Sequence, residues 1–257
     1  MYKRGQVTVF IILGIIILIT TATFFLVKSS MIKEEVTTSE DLVQYSLQQE
    51  GALKLFVEGC ITETAEQALI RNSYSGTYFN LPKQSTTELY GDLPYFYFND
   101  NQTFPSTETI ENELSKFIDS ELLFCLDNFS VFQKQGYQIN IGEPHTTAVI
   151  KENKLIVKTE LSIISNQITF STSYDLFIVE VFSPQFYDDL ELSEQFVETI
   201  DGEEICLSCL GNLAADNDVF VDIFTVDNDT YVFELTDQDY TINMEKFRLR
   251  FAMQYNE

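Results

Sequence analysis

The sequence predicts an α+β fold that follows an N-terminal transmembrane helix. Three observations predict it: Val7–Val27 has no charged side chain, two later stretches space apolar residues as helices do, and the second half alternates apolar and polar residues as strands do. We divide the chain into a signal or anchor helix over 1–30, a helical and aromatic-loop region over 31–135, and a mainly antiparallel β region over 136–257.

The composition is that of an acidic chain able to fold. The 257 residues are 45% hydrophobic and 14% aromatic, which is enough apolar material for a core. Beyond residue 29 the chain carries 12 basic and 40 acidic residues, a net charge of −28. Such a surface repels phosphate backbones, so we expect no nucleic-acid partner. Self-repulsion that keeps a surface protein soluble is the simplest role for this charge.

The predicted membrane helix is Val7–Val27. At about 1.5 Å rise per residue it is about 31 Å long, close to a hydrocarbon thickness of about 30 Å. A secretory signal peptide has a shorter apolar core that ends at small residues, whereas here Phe24–Val27 follows the one weak cleavage candidate. We expect a retained helix in membrane lipid, with the N-terminus in the cytoplasm and residues 30–257 outside the cell.

The first residues also carry a motif. The stretch Lys3-Arg4-Gly5-Gln6-Val7-Thr8, followed at once by the apolar helix, resembles the class III signal of archaeal type IV pilins. The resemblance implies that a prepilin-type peptidase cuts between Gly5 and Gln6, and that identical subunits bundle their helices in a filament. The family often has Glu where this chain has Phe10. The alternative is an uncleaved signal-anchor in which Gly5-Gln6 follows the cations by chance.

A second stretch is similar to a group of uncharacterised archaeal membrane-anchored surface proteins. The similarity is carried by Phe56-Val57-Glu58-Gly59-Cys60, Glu66-Gln67-Ala68-Leu69, a segment rich in Tyr and Pro, and a second helix ending near Cys125. No function follows from it.

Two amphipathic helices are predicted before residue 136. The first begins after Thr38 or Ser39, either of which can cap it, runs to about Arg71, and contains Gly51 as a point where it can kink. The second spans Ser106–Gln135. Between them, Asn72–Pro105 is expected to form loops and short strands. Its aromatic section, residues 90–98, is expected to be an edge strand that packs aromatics inward; a sticky or sugar-binding surface is the functional alternative.

The second half is predicted to be mainly antiparallel strands. Turns at Glu152-Asn153 and Ser165–Gln167 indicate a three-stranded meander, and an acidic helix is expected from Pro184 to about Ile200. A hairpin is expected about Asp227–Asp229. The last strand alternates apolar residues with three cations that are expected to pair with acidic neighbours across the sheet: Lys246, Arg248 and Arg250.

The four cysteines are expected to be oxidised in an exterior domain. Cys60 and Cys125 each lie on the apolar stripe of a predicted helix, and a bridge between them would leave Cys206 and Cys209 to close a small loop. A four-thiolate zinc site is the alternative, but only one Cys-x-x-Cys is present. We therefore expect no metal and no cofactor.

No residue is singled out as catalytic. His145, the one histidine, is expected in an exposed loop. Asp216–Asp218 and Asp227–Asp229 do not fit a spaced calcium loop and are expected to be turns. The sequence thus predicts a non-enzymatic, single-pass cell-surface protein of the type IV pilin-like class, as a filament subunit. The alternative is a signal-anchored extracellular binding or adhesion module for cations or surface glycans.

Overall fold

A computed structural model describes most of the chain beyond residue 38. The described residues are 39–86, 91–166, 171–182, 186–198, 200–201 and 204–254. The predicted anchor, with Gly5, Gln6, Val7, Phe10 and Val27, lies outside them. No helix in the described part is both long and apolar enough to cross a membrane. The chain divides into a unit that ends at Gln49 and a compact unit over Glu50–Glu257, and the description below concerns the second unit.

The first helix, α1, spans Ser39–Tyr74. Its 36 residues extend over about 54 Å. It continues through Gly51, the predicted kink point. Past Glu50 one stripe of α1 is buried at helical spacing and joins the core: Leu53, Val57, Cys60, Ile61, Thr64, Ala65, Ala68 and Leu69.

The second helix, α2, spans Thr107–Leu126 and is shorter than predicted. Ser106 caps it, because the Ser106 hydroxyl accepts a hydrogen bond from the Thr109 N–H. The predicted continuation to Gln135 is wrong. At Asp127 the backbone turns left-handed, with φ of 41°, and a 3₁₀ turn over Asp127–Phe129 leads to the short helix α3 over Ser130–Gln133. This break lets Phe129 and Phe132 pack against Phe56 of α1.

One sheet combines strands from both halves of the chain. Its members are β1 (Ser85–Thr86), β2 (Leu93–Phe98), β3 (Asn101–Gln102), β10 (Val219–Thr225), β11 (Thr230–Ile242) and β12 (Glu245–Gln254). The order is β1-β2-β12-β11-β10, with β3 also on β2. The prediction that the aromatic strand β2 lies at an edge is wrong. Strand β2 pairs in parallel with β12 on one side, and the short strands β1 and β3 pair with it as well. Its aromatics do pack inward: Phe96 stacks on Phe251 at 4.5 Å between ring centroids.

The second sheet is the predicted meander with one strand added. It contains β4 (Gln138–Ile141), β5 (His145–Lys151), β6 (Lys154–Asn166) and β7 (Ser171–Phe182), in antiparallel pairs. The remaining elements are α4 (Phe186–Glu198), β8 (Ile200–Asp201), β9 (Glu204–Ile205) and α5 (Leu207–Asp216). The acidic helix α4 was expected, whereas β4 and α5 were not. The fold is α+β with mainly antiparallel sheets.

Side chains of α2 attach that helix to the rim of the second sheet. Glu111 Oε1 accepts the N–H of Ile150 at 2.9 Å, and the Ser115 hydroxyl oxygen accepts the N–H of Ala148 at the same distance. These bonds satisfy donors that would otherwise be unpaired at the edge of β5. The helices and both sheets share one continuous hydrophobic core.

Candidate functional site

A groove lies between the last turn of α1 and the start of β12. Its volume is about 450 Å³. Three α1 residues and five residues of the β11–β12 hairpin line it: Ile70, Ser73 and Tyr74, then Met244, Glu245, Lys246, Phe247 and Arg248. We call this the basic groove, because two cations line it in a chain with a formal net charge of −25.

The hairpin turn presents Met244 at the rim of the basic groove. Asn243 and Met244 both have positive φ, 52° and 68°, as the tight type I′ turn of a hairpin requires. Glycine is the usual second residue of such a turn, because a side chain there is strained. Here the position is held by a methionine that is 99% exposed. A strained turn that holds an apolar side chain in solvent at the rim of a groove is a candidate contact point.

The two arginines of β12 contact one carboxylate, and one of them also contacts an aromatic ring. Arg248 and Arg250 both contact Glu234, at 3.5 and 3.4 Å, in the row where Glu234 lies opposite Arg250. The Arg250 guanidinium also lies 4.5 Å from the centroid of the Tyr74 ring. The predicted pairing with acidic neighbours is thus confirmed for both arginines.

Lys246 differs from the arginines. Its ammonium donates to the amide oxygen of Gln238 at 2.9 Å, so its described partner is neutral and the predicted acidic partner is wrong. Across the ladder Lys246 lies opposite Thr241, which is not an acid. A cation in a groove that also contains a tyrosine, with no carboxylate partner among the described residues, can bind an anionic or hydroxyl-rich group.

Gly76 brings the end of α1 against the sheet. It has φ of +67°, and an added Cβ would lie 2.9 Å from the Arg250 carbonyl oxygen and collide with the Pro94 ring. The close approach therefore requires glycine. The close approach at Gly76 places the Tyr74 ring over Arg250. Tyr74 in turn forms one wall of the basic groove.

A second unusual group, the buried acid cluster, lies between α4 and a bulge of β11. Asp189 is 4% exposed, and its Oδ2 has no hydrogen-bond partner among the described residues. Burial, followed by the charges of Asp237 and Asp188, raises the pKa of Asp189 to about 8. Asp237 is itself buried and accepts the N–H groups of Asp239 and Tyr240 at 2.7 Å. Burial, then Asp189, Glu66 and Asp237, raises the pKa of the Tyr240 hydroxyl.

The four cysteines form two disulfides. Cys60 on α1 joins Cys125 on α2 with Cα atoms 5.6 Å apart, and Cys206 joins Cys209 with Cα atoms 5.2 Å apart. These are the pairs considered from the sequence. The Cys206 sulfur also accepts the N–H of Cys209 at the start of α5. No cysteine is free.

The other positions considered from the sequence are turns or strand ends. His145 begins β5 and is exposed, as predicted, but the predicted loop is wrong. It lies near Asp119, whose pKa is raised by burial, against the opposing effects of hydrogen bonds from Thr146 and the charge of His145. Asp227 Oδ1 accepts the N–H groups of Asp229 and Thr230, which confirms the predicted turn at 227–229. Asp216 ends α5, and Asp218 follows with positive φ.

The described part of the chain contains no group of three or more His, Cys, Asp or Glu residues arranged to hold a metal ion. The expectations of no catalytic residue, no metal and no cofactor remain predictions.

Sequence reasoning missed both the basic groove and the buried acid cluster. The alternating cations of β12 were visible, but the helix that faces them comes 170 residues earlier in the chain. Asp189 resembled any other acid of the amphipathic helix α4. One weak signal was available, since Asp189 falls between the apolar residues Phe186 and Leu190 on the helical period.

No family model, curated protein or solved structure matches this chain. The resemblances stated above to archaeal type IV pilins and to archaeal membrane-anchored surface proteins remain predictions.

Proposed function

We propose that the chain is a non-enzymatic, single-pass cell-surface protein of the type IV pilin-like class, and that it serves as a filament subunit. Its N-terminus lies in the cytoplasm and residues 30–257 lie outside. The observation that carries this proposal is the pairing of all four cysteines. Disulfides persist in oxidising exterior compartments and are rare in the cytosol.

The layout of the described part supports the class. The pilin resemblance implies a long helix against a sheet, and α1, of 36 residues, shares one core with two mainly antiparallel sheets. The Cys60–Cys125 bridge ties α1 to α2, which suits a domain attached to its anchor through α1. The run Val7–Val27 supplies the segment that would lie in lipid or against sibling helices.

The buried acid cluster supports a non-enzymatic role. A carboxyl group with a strongly raised pKa is a candidate general acid wherever a substrate can reach it. Asp189 lies on the buried face of α4, and Asp237 is also buried. Both are out of reach of a dissolved substrate.

The mature N-terminus tests the proposal. The full chain is expressed in an archaeal host that has a prepilin-type peptidase, and the membrane fraction is analysed by intact mass spectrometry. We expect a chain that begins at Gln6, and a Gly5→Val variant that keeps Met1 at the same membrane level. Thiol titration without reductant is expected to find no free thiol. A chain with intact Met1 in both variants, or four free thiols, would contradict the proposal.

A second candidate function rests on the basic groove. A signal-anchored binding module for surface glycans needs an aromatic face and charged hydrogen-bond donors, and Tyr74, Lys246 and Arg248 supply them. The positive charges of Lys246 and Arg248 favour an acidic sugar as the ligand. They disfavour a metal cation, which was the other ligand considered from the sequence. Titration with an oligogalacturonate should give saturable binding that Lys246→Ala weakens and Lys158→Ala, an exposed lysine of the second sheet, does not. Equal binding by the two variants would exclude the groove.

A further inference from the structure

The fold protects several of its strand edges. The edge of β5 is bonded by side chains of α2, as described above. The outer side of β2 is occupied by β1 and β3, each only two residues long. Short edge strands and helix cover are the usual ways in which proteins prevent unwanted strand pairing.

Strand β10 is longer than β1 and β3, and no other described strand protects its outer edge. Its seven residues, Val219–Thr225, pair with β11 without a bulge and with no other described strand. It contains no proline, lysine, arginine or glycine, and Asp222 is its one charge. Except for Val219, every residue is at least partly exposed. Phe220, 56% exposed, and Ile223, 36% exposed, lie on opposite faces of the strand, so an added strand would gain apolar contacts on both faces.

Strand β7 is a second open edge. It spans Ser171–Phe182 and pairs only with β6 among the described strands, with one register shift in that ladder. It contains no proline, lysine or arginine, and its charged residues are Asp175 and Glu180. Leu176 and Ile178 are exposed on its outer face. One molecule therefore offers two unlike open edges.

We propose that β10 of one copy pairs with β7 of a second copy, as an added strand that extends both sheets. Pairing of β10 with itself is disfavoured, because Asp222 is the central residue of the strand. A full-length antiparallel pair would place Asp222 of the two copies directly opposite each other, and like charges in that position are destabilising. Pairing between unlike edges leaves one free edge on each copy, so it continues into an open chain of subunits unless the copies close into a ring or a reciprocal dimer.

This inference deepens the proposed function and rests on it in one respect. Anchoring of each copy in one membrane raises the local concentration of edges and offsets the repulsion between acidic chains. The pairing of β10 with β7 is nevertheless a property of the purified molecule. It can fail while the mature N-terminus and the oxidised cysteines still support a cell-surface protein.

The test is amide hydrogen exchange of the full chain in detergent micelles at low and high protein concentration. Analytical ultracentrifugation of the same samples follows the size of the assemblies. We expect amides of Val219–Thr225 and of β7 to exchange more slowly at high concentration, with a series of sizes above the monomer. Protection of β10 without protection of β7 would overturn the pairing with β7. Equal exchange of β10 at both concentrations would overturn the inference altogether.

A matched pair of variants separates edge pairing from general stickiness. Phe220→Lys puts a charge on the open edge, the usual natural protection, and we expect it to weaken association at least about tenfold. Phe124→Lys makes the same exchange at a residue of α2 that is 77% exposed, and we expect wild-type association. Circular dichroism of both variants checks that they fold. Equal loss in the two variants, or no loss in Phe220→Lys, would contradict the proposal.

Discussion

Replacement of Asp189 by asparagine should stabilise the protein at neutral and alkaline pH and have little effect in acid. Asp189 is buried, with a pKa raised from 3.8 to about 8. Between these two values the folded state keeps the proton that the unfolded chain releases. Stability therefore falls as pH rises from about 4 to about 8 and is constant above that, as far as Asp189 contributes.

The magnitude follows from the size of the shift. Each pH unit in this window removes about 1.4 kcal/mol of stability, which sums to about 5 kcal/mol at pH 8. Asparagine has the same shape but no proton to lose, and its amide can donate to the Asp237 carboxylate. Since about 1 kcal/mol shifts Tm by 2–4 °C in a domain of this size, the Tm of Asp189→Asn should exceed that of the wild type by roughly 10 °C more at pH 7.5 than at pH 5.

The assay is calorimetric or fluorescence-detected melting of both proteins from pH 4.5 to pH 8.5. Glu191→Gln is the matched control, because Glu191 is an exposed acid of α4 that is not among the charges raising the pKa of Asp189. We expect its Tm to differ from the wild type by a small amount that does not change with pH. A difference between Asp189→Asn and wild type that is the same at all pH values would refute the reasoning.

Three further changes should lower stability by different amounts, each measurable by urea unfolding. Joint replacement of Cys60 and Cys125 by alanine opens a loop of 65 residues and should lower the free energy of unfolding by about 4 kcal/mol. The same replacement of Cys206 and Cys209 should lower it by about 2 kcal/mol, because the loop is short. Gly76→Ala should cost about 2 kcal/mol or more, because the new Cβ meets Pro94 and the Arg250 carbonyl. Glu234→Gln should cost about 3 kcal/mol, because Arg250, 7% exposed, loses its carboxylate.

Each of these changes has a control within the chain. Gly91→Ala has positive φ but open space around the new Cβ, so it isolates the backbone strain from the collision at Gly76. Glu160→Gln removes the carboxylate of an exposed pair with Lys158 and should change stability by less than about 1 kcal/mol. Equal costs at Gly76 and Gly91, at Glu234 and Glu160, or for the two disulfides would contradict the corresponding explanation.

The sequence by itself determined the features that depend on near neighbours in the chain. The helical stripe of α1, the first turn of the meander, the α4 helix and the hairpin at 227–229 were all predictable, because periodicity and turn chemistry act over a few residues. The second turn was predicted too early in the chain, because Ser165 and Asn166 belong to β6 and pair with β7. The α+β class followed from them. The apolar run at Val7–Val27 and the acidic charge of the rest belong to the same kind of evidence, and the proposed cell-surface role depends on them.

Only the tertiary structure decided which distant segments meet. The left-handed turn at Asp127 ends α2 because Phe129 and Phe132 gain a contact with Phe56, and no local signal reports that contact. Strand β2 is an inner strand because it pairs with β12, which lies more than 150 residues later in the chain. The basic groove, the burial of Asp189 and the open edge of β10 have the same origin. Each depends on what packs, or does not pack, against a residue from elsewhere in the chain, and this is set by the free energy of the whole fold rather than by local preference.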